Sequence, residues 1–303
     1  MTIKGEKLNT ICINKDLIFT SLNDLVKYLK MNITIKSVRY ITFFFILYIF
    51  TSTLGNAQKI DQTFFDEADA LLKSNVSNNA VDYAALKNNP QLPQLIKKIS
   101  KADLSAADDQ TKQAFYINAY NLNVINKVVT LFPTTSVQKK AGFFDRDKIS
   151  VAGEKLTLNK LEKDKLLNAY NDARYHFVLV CGAVGCPPIT NFAYRPEKLD
   201  AQMEQQTKLA LNDDNFIKTS TGTVGLSQIF KWYASDFGSS KSNILSFINK
   251  YRNQPIPAST KINYYPYDWA LNGLGKSTGS IDPTTTATNE SRYIVSSTIP
   301  KGS

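Results

Sequence analysis

The strongest structural signal in the chain is a helical repeat of apolar residues over residues 108–129. Apolar side chains recur there at the spacing of a buried helix face, and Phe132-Pro133 ends the run. Strands are predicted at 174–181 and, as a hairpin, at 216–226. Further helices are predicted at 61–73, 92–99, 156–168, 196–212, 227–233 and 243–251. Because helices outnumber strands and do not alternate with them regularly, we predict an α+β fold: a single helix-rich domain packed on a small, mostly antiparallel sheet.

An apolar block at residues 41–50 is the clearest targeting feature. Lys36 and Arg39 precede it, and Leu-Gly-Asn-Ala, ending at Ala57, follows it. A basic flank, a short apolar core and small residues before a cleavage point are the parts of a secretory signal peptide. The block is also shorter than the ~20 apolar residues of a membrane span. We therefore predict a secreted or periplasmic protein, with an uncleaved membrane anchor as the alternative.

The position of the block predicts the organisation of the chain. Signal peptides begin at the N-terminus, so we predict that translation starts at Met31 and that residues 1–30 are a wrongly assigned upstream extension. Residues 31–57 are then the signal peptide, removed by cleavage after Ala57. Residues 58–272 form the domain. Residues 273–303 are a Ser/Thr/Gly-rich C-terminal segment with one candidate strand.

The distribution of charge argues against nucleic acid as a partner. The chain carries +10; seven Lys/Arg and three Asp/Glu fall within residues 1–57, so cleavage lowers the charge to +6. The remaining basic residues are scattered and form no basic stripe. We predict no nucleic-acid partner and membrane contact only through the signal segment if it is uncleaved. The expected ligand is a small molecule or peptide of the cell envelope.

Residues 174–188 concentrate the reactive side chains. They hold the only histidine of the chain, His176, and two of its three cysteines, Cys181 and Cys186. On a regular strand His176 and Cys181 lie on opposite faces, because side chains alternate. Cys186 follows a glycine-rich turn that can return it to either face, so it is the better partner for His176.

Two main chemistries fit these three residues, and thiols that are inert or redox-active are the third alternative. In the first, the imidazole of His176 takes the proton of Cys186 and leaves a reactive thiolate. In the second, Cys181 and Cys186 form the disulfide expected of an exported protein, and neither sulfur is a nucleophile. One histidine and two cysteines make only an incomplete zinc site, so we predict no metal and no cofactor.

Asparagines inside the predicted helix 108–129 are the next unusual feature. Asn118 and Asn121 are three residues apart and therefore neighbours on the helix surface. Asparagine is unfavourable in a helix interior, which indicates that each amide has a fixed partner. That partner is either His176 or a substrate, or else the backbone of a neighbouring loop.

Three further residues are candidates for the site. Tyr120 lies beside the asparagines, and Glu162 is a lone acid on the helix before His176. Trp269 belongs to an aromatic run at 264–272 of the kind that forms a core or the wall of a groove. Each also has a plain structural reading, since most such acids are solvated and most such aromatic residues are packed.

Five motifs resemble, in order, the family catalogued as domain of unknown function 547. They are Val81-Asp82-Tyr83, Phe115-x-x-Asn118-x-Tyr120-Asn121, Leu161-Glu162, His176-Phe177-x-x-x-Cys181-Gly182-Ala183-x-x-Cys186-Pro187 and Tyr267-x-Trp269-x-Leu271-Asn272. The resemblance runs from about residue 62 to 272 and implies an exported bacterial protein, but no established activity. A weaker likeness to transglutaminase and papain-like folds lacks their cysteine at the start of the central helix.

These observations support two hypotheses of different class. The first is a Cys/His-centred hydrolase or acyl-transfer enzyme acting on an envelope peptide or amide. Its nucleophile is Cys186, its base is His176, and Asn118, Asn121 or Glu162 orients the base. The second is a non-catalytic periplasmic binding domain with a structural Cys181–Cys186 disulfide. The candidate binding residues are Tyr120, Asn121, Cys181 and Trp269.

Overall fold

The computed structural model describes residues 58–274 continuously and, before them, residues 12–14, 17–18, 23–24, 26–28 and 30–31. The chain divides into two units, Met1–Asn56 and Ala57–Ser303. In the first unit, the strands β1 (Cys12–Asn14) and β2 (Leu17–Ile18) pair antiparallel. The signal segment after Met31 and the C-terminal candidate strand lie outside the described residues, so both stay predictions.

No helix in the described part of the chain combines the length and the apolar character needed to cross a membrane.

The second unit is built mainly from helices. In chain order they are α1 (Gln62–Asn75), α2 (Tyr83–Lys87), α3 (Gln91–Lys101), α4 (Asp109–Leu131), α5 (Leu158–Glu162), α6 (Asn168–Tyr170), α7 (Tyr175–Val178), α8 (Leu199–Asn212), α9 (Ile229–Trp232) and α10 (Lys241–Tyr251). A π-helical turn, Lys163–Leu167, joins α5 to α6, and short 3-10 turns lie at Val137–Lys139, Pro196–Lys198 and Ala234–Phe237.

The strands of this unit are short and are divided among several small sheets. They are β3 (Gln58–Lys59), β4 (Val76–Ser77), β5 (Ala80–Val81), β6 (Ala102–Asp103), β7 (Lys148–Val151), β8 (Glu154–Thr157), β9 (Ile217–Ser220), β10 (Thr223–Leu226) and β11 (Lys261–Tyr264). The three-stranded sheet has the order β11-β10-β9, in which β9 and β10 form the predicted hairpin and β11 runs parallel to β10. The α+β class is confirmed, with several small sheets in place of one.

Helix α4 lies in the core and confirms the strongest sequence prediction. The carboxylate of Asp108 caps it by accepting the Thr111 N–H at 2.7 Å. From Ala114 to Ile125 every residue except Tyr116 is buried. A helix surrounded on nearly all sides by apolar groups is held by packing rather than by its own propensity. The rest of the fold is therefore assembled around α4.

Two hydrophobic clusters meet at the turn that carries the cysteines. The larger cluster surrounds α4, and the smaller one joins the β9–β11 sheet to α9 and α10. Cys181, Cys186 and Trp269 pack against both clusters. The turn therefore lies at the junction of two cores within one unit.

The predicted strand at 174–181 is wrong. Residues Tyr175–Val178 form one helical turn, α7, and only then does the chain extend at Leu179. The carbonyl of Asp172 accepts the Tyr175 N–H at 3.2 Å, which starts the turn. The side-chain amide of Asn121 then bonds to the backbone of Val178 and Val180 in place of a neighbouring strand. The alternation that was expected to separate His176 from Cys181 therefore does not apply.

Candidate active site

A cavity of about 700 Å³ opens beside the junction of the two clusters. Its walls come from α5 and the π-helical turn after it, from α7, and from α9 with the 3-10 turn that follows. The cysteine turn and the aromatic side chains of Tyr267 and Trp269 complete the wall. The cavity is large enough for a small organic ligand or a short peptide segment.

Glu162, the last residue of α5, is the most deeply buried acid in the wall. Its side chain is hydrogen-bonded to the hydroxyl groups of Tyr120 and Tyr233. Burial raises the pKa of Glu162 above its usual range, although His176 and the two tyrosine hydroxyls act in the opposite direction. A larger fraction of this carboxyl is therefore protonated near neutral pH than in an exposed glutamate.

The two tyrosines remain hydrogen-bond donors over the physiological pH range. Burial, followed by the nearby charge of Glu162, raises the pKa of Tyr120 well above its usual value. The charge of Glu162, followed by burial, does the same for the pKa of Tyr233. Both hydroxyls therefore keep their protons and hold the carboxyl of Glu162 in one orientation.

His176 and Asp236 form a pair across the cavity wall. The Nε2 atom of His176 lies 2.8 Å from Oδ2 of Asp236, and the imidazole packs against the ring of Tyr233 at a centroid distance of 4.2 Å. The hydrogen bond from His176 holds the pKa of Asp236 below its usual range. Asp236 is therefore ionised at neutral pH and can orient the imidazole and stabilise its protonated form.

The two cysteines are bonded to each other. Cys181 and Cys186 form a disulfide, and both residues line the cavity. The hydroxyl of Tyr267 lies 3.2 Å from each sulfur. The backbone N–H of Cys181 also donates to Sγ of Cys186 at 3.0 Å. In this oxidised state neither sulfur is a nucleophile, so the structure has the second of the two expected chemistries.

The cysteine turn is fixed independently by backbone hydrogen bonds. The Val184 N–H donates to the Ala270 carbonyl and the Gly185 N–H to the Asp268 carbonyl, both at 2.8 Å. A side chain at Gly185 would place its Cβ 2.9 Å from the Asp268 nitrogen, so only glycine permits this approach. The turn and the 268–272 segment therefore behave as one unit.

An aromatic surface forms the wall next to the disulfide. The ring of Tyr267 packs against those of Trp232 and Trp269, at centroid distances of 5.1 and 4.7 Å. The two indoles are stacked at 6.1 Å with an interplanar angle of 25°. Trp269 thus lies where the sequence placed it, in the wall of a groove.

The two predicted site asparagines are instead structural. The Asn118 amide donates to the carbonyls of Ala114 at 2.8 Å and Tyr194 at 2.7 Å, and its oxygen accepts the Tyr194 N–H at 3.0 Å. Asn121 bonds to the Val178 carbonyl at 2.9 Å and to the Val180 N–H at 3.0 Å. Neither asparagine is among the described residues that line the cavity. Their partners are the backbone of neighbouring loops, the alternative left open by the sequence.

The cavity collects most of the other candidates and adds three that the sequence reasoning missed. The candidates that line it are Tyr120, Glu162, His176, Cys181, Cys186 and Trp269. The missed residues are Tyr233, Asp236 and Tyr267. Asp236 lies 60 residues after His176 on a short 3-10 turn. Nothing in the sequence distinguishes an aspartate that bonds to a distant histidine from one that is simply exposed to solvent. Tyr267 had a signal, since it is the first residue of the last family motif.

Within the described ranges, no group of three or more His, Cys, Asp or Glu side chains is placed to hold a metal ion.

The fold and the cavity define an α+β protein with a disulfide and a cluster of ionisable side chains in one pocket. Residues 104–209 match the model of the family described as "Protein of unknown function, DUF547", which confirms the resemblance over about a third of the chain. The matched segment contains Glu162, His176 and both bonded cysteines. Neither the curated proteins nor the solved structures give a significant match.

Proposed function

We propose that the cavity is the active site of an envelope hydrolase or acyl-transfer enzyme that acts on a peptide or amide by general acid–base catalysis. Glu162 is the general acid, and His176, held by Asp236, is the general base. The observation that carries this proposal is that a carboxyl with a raised pKa and a histidine–carboxylate pair share one cavity. The pKa of Glu162 is raised and that of Asp236 is lowered, and two carboxyl groups held apart in this way are typical of a site that carries out acid–base catalysis.

The proposed reaction uses water or an acceptor amine as the attacking group. His176 accepts the proton of that group as it attacks the carbonyl carbon, and Asp236 stabilises the resulting imidazolium. Glu162 donates its proton to the nitrogen that leaves. This mechanism replaces the role that the sequence assigned to Cys186, because the disulfide removes both sulfurs as nucleophiles.

A disulfide and a signal-like sequence support the envelope as the place of action. The basic, apolar and small residues before Ala57 have the order of a signal peptide. Disulfides persist mainly in secreted and periplasmic proteins. We therefore propose a secreted or periplasmic protein with a peptide or small-molecule ligand of the envelope.

The test is turnover of soluble peptidoglycan fragments and short envelope peptides by the purified protein, followed by mass spectrometry. Glu162→Gln keeps the shape of the side chain but cannot transfer a proton, so we expect kcat/KM to fall roughly 10²–10⁴-fold. Glu197→Gln, at an exposed acid, is the matched control and keeps the wild-type rate. A Glu162→Gln variant as active as the control would overturn the assignment.

The pH profile tests the same assignment independently. Glu162 must be protonated to act as an acid, so the rate falls as pH rises through its raised pKa. Raising the pH from 5 to 9 in the turnover assay measures this alkaline limb. A rate that stays constant over this range contradicts a carboxylic general acid.

The disulfide and the aromatic wall favour a second candidate, a non-catalytic binding domain. Stacked indoles and a rigid turn suit recognition of a ligand without chemistry. Tryptophan fluorescence separates the two candidates. If the protein is a binding domain, the same fragments quench its tryptophan fluorescence saturably and none of them is converted. The Glu162→Gln variant then binds the fragments as tightly as the wild type.

A further inference from the structure

We infer that Cys181 and Cys186 form a thiol–disulfide exchange centre, in which an external dithiol attacks Cys181 and Cys186 leaves as the thiolate. This activity is independent of the proposed hydrolysis, since it breaks no peptide or amide bond. It assigns a function to the two sulfurs that the acid–base mechanism does not use.

The first observation is that the disulfide contributes little to the stability of the turn it closes. Backbone hydrogen bonds from Val184 and Gly185 to the 268–270 segment already fix this turn, and a third joins the Asn272 N–H to the Gly182 carbonyl. The two cysteines are only five positions apart, so the crosslink restricts the unfolded chain little. A bond placed purely for stability would contribute more between distant parts of the chain.

The second observation is that the bond can be reached. Cys181 and Cys186 are both half-buried and both line the 700 Å³ cavity. Beside them lies the surface formed by Trp232, Tyr267 and Trp269, which suits apolar side chains of a cysteine-containing peptide. The expected client is therefore a peptide, and it must carry two thiols because the exchange consumes both.

The third observation is that the two sulfurs have unequal surroundings. The hydroxyl of Tyr267 lies 3.2 Å from each sulfur, but only Sγ of Cys186 also accepts the backbone N–H of Cys181, at 3.0 Å. Burial raises the pKa of Tyr267, so this hydroxyl keeps its proton and remains a donor. Hydrogen bonds to a sulfur stabilise its thiolate and make it a better leaving group. The backbone N–H of Cys181, which only Cys186 accepts, therefore selects Cys186 as the sulfur that leaves.

The exchange balances in two steps. A client thiolate attacks Sγ of Cys181 and forms a mixed disulfide; the Cys181–Cys186 bond breaks, and its electron pair goes to Sγ of Cys186. The second client thiolate then attacks the client's own sulfur in the mixed disulfide and releases Cys181. The client is oxidised to a disulfide, and the protein gains two electrons and, after protonation, two thiols.

The first experiment uses the folded wild-type protein and dithiothreitol as the simplest dithiol. The protein is incubated with the reagent at pH 7 without denaturant, quenched with acid, alkylated and weighed by mass spectrometry. We expect both cysteines to become alkylated while the far-UV circular dichroism stays native. A disulfide that resists millimolar dithiothreitol until urea unfolds the protein would overturn the proposal.

The second experiment measures the asymmetry between the sulfurs. Cys181→Ser leaves only Cys186 free in the cavity, and Cys186→Ser leaves only Cys181. At pH 6 we expect iodoacetamide to alkylate Cys186 about ten-fold faster than Cys181, since the thiolate is the reacting form. Equal rates contradict the choice of leaving group.

A tyrosine variant tests the contribution of the hydroxyl that both sulfurs share. Tyr267→Phe keeps the ring against Trp232 and Trp269 but removes the hydroxyl, so alkylation of Cys186 in the Cys181→Ser background and of Cys181 in the Cys186→Ser background both slow several-fold. Tyr264→Phe, on β11 and lining a different depression, leaves the rate unchanged. Neither measurement involves a hydrolysable bond, so a failure here leaves the proposed hydrolysis standing, and the reverse also holds.

Discussion

Two sets of buried polar side chains, the asparagines of α4 and the ionisable residues of the cavity, differ in what satisfies them. Asn118 and Asn121 bond to backbone groups of neighbouring segments. Glu162 and His176 bond instead to other side chains and line an open cavity. The first arrangement locks a neutral group and stabilises the fold. The second holds groups that can change charge where a ligand can reach them, at a cost in stability.

The largest expected effect on folding is that of Asn118→Ala. The change removes three buried hydrogen bonds, two of them to the backbone of Tyr194, so we expect the free energy of unfolding to fall by about 3 kcal/mol. Urea denaturation measures it. Asn126→Ala, a half-buried position on the same helix, is the control, with an expected loss of less than about 1 kcal/mol. Equal losses would remove the distinction between the two regions.

A smaller loss, about 2 kcal/mol, is expected for Asn121→Ala, because two buried hydrogen bonds disappear. This variant also loosens the chain directly after His176, so it connects the two regions. We expect the imidazole resonances of His176 to shift in Asn121→Ala and to stay in place in Asn118→Ala, as measured by NMR. The reverse pattern would show that Asn118, rather than Asn121, supports the site.

Loss of the disulfide is expected to cost at most about 2 kcal/mol, given the short loop it closes. The measurement compares urea denaturation of the wild type with that of the double variant Cys181→Ser, Cys186→Ser. A loss above about 4 kcal/mol would assign the bond to the stabilising region and weaken the case for exchange.

Glu162→Gln is expected to change the stability of the fold least, and to raise it where the other variants lower it. Burial raises the folded pKa of Glu162 above the ordinary 4.5, so the folded state holds a proton that the unfolded chain releases. Wild-type stability therefore falls as pH rises from about 4.5 through the raised pKa. The glutamine variant lacks this loss, and at pH 8 we expect its melting temperature to equal or exceed that of the wild type.

Asp236→Asn is expected to change stability with the opposite dependence on pH from Glu162→Gln. The pKa of Asp236 is lowered by His176, so its contribution to stability is present above the unfolded pKa and is lost as pH falls through the folded value. Thermal melts between pH 3 and 8 should show the wild type losing its advantage over Asp236→Asn on the acidic side. Parallel curves for the two proteins would contradict this account.

Local signals were sufficient for most of the fold. The helix α4 and the β9–β10 hairpin follow from the apolar spacing of neighbouring residues. The helix α5 has a local signal of the same kind, since the hydroxyl of Thr157 caps it by accepting the Lys160 N–H at 3.2 Å. The strand prediction for 174–181 was wrong because the β-branched and aromatic residues of this segment favour a strand. In the structure the amide of Asn121, more than fifty residues away, makes the backbone hydrogen bonds that a neighbouring strand would otherwise make.

The candidate site was predictable where its residues are rare or belong to a family motif, as Tyr120 and Glu162 do. His176, Cys181 and Cys186 stood out because the chain has one histidine and three cysteines. Asp236 and Tyr233 belong to common residue types, and their roles arise from contacts with His176 and Glu162, about 60 to 70 residues away along the chain. The partner of Asn118 was left open for the same reason, since Tyr194 lies 76 residues along the chain.

The bond between Asn121 and the chain after His176 has a consequence for engineering. A residue in a strand must keep the register of its neighbours, but residues 177–180 are anchored at two backbone points by one amide. Apolar side chains there can be exchanged for others of similar volume without disturbing any pairing of strands. The chain beside the cavity can therefore be varied in a library while one fixed position, 121, preserves the path of the backbone.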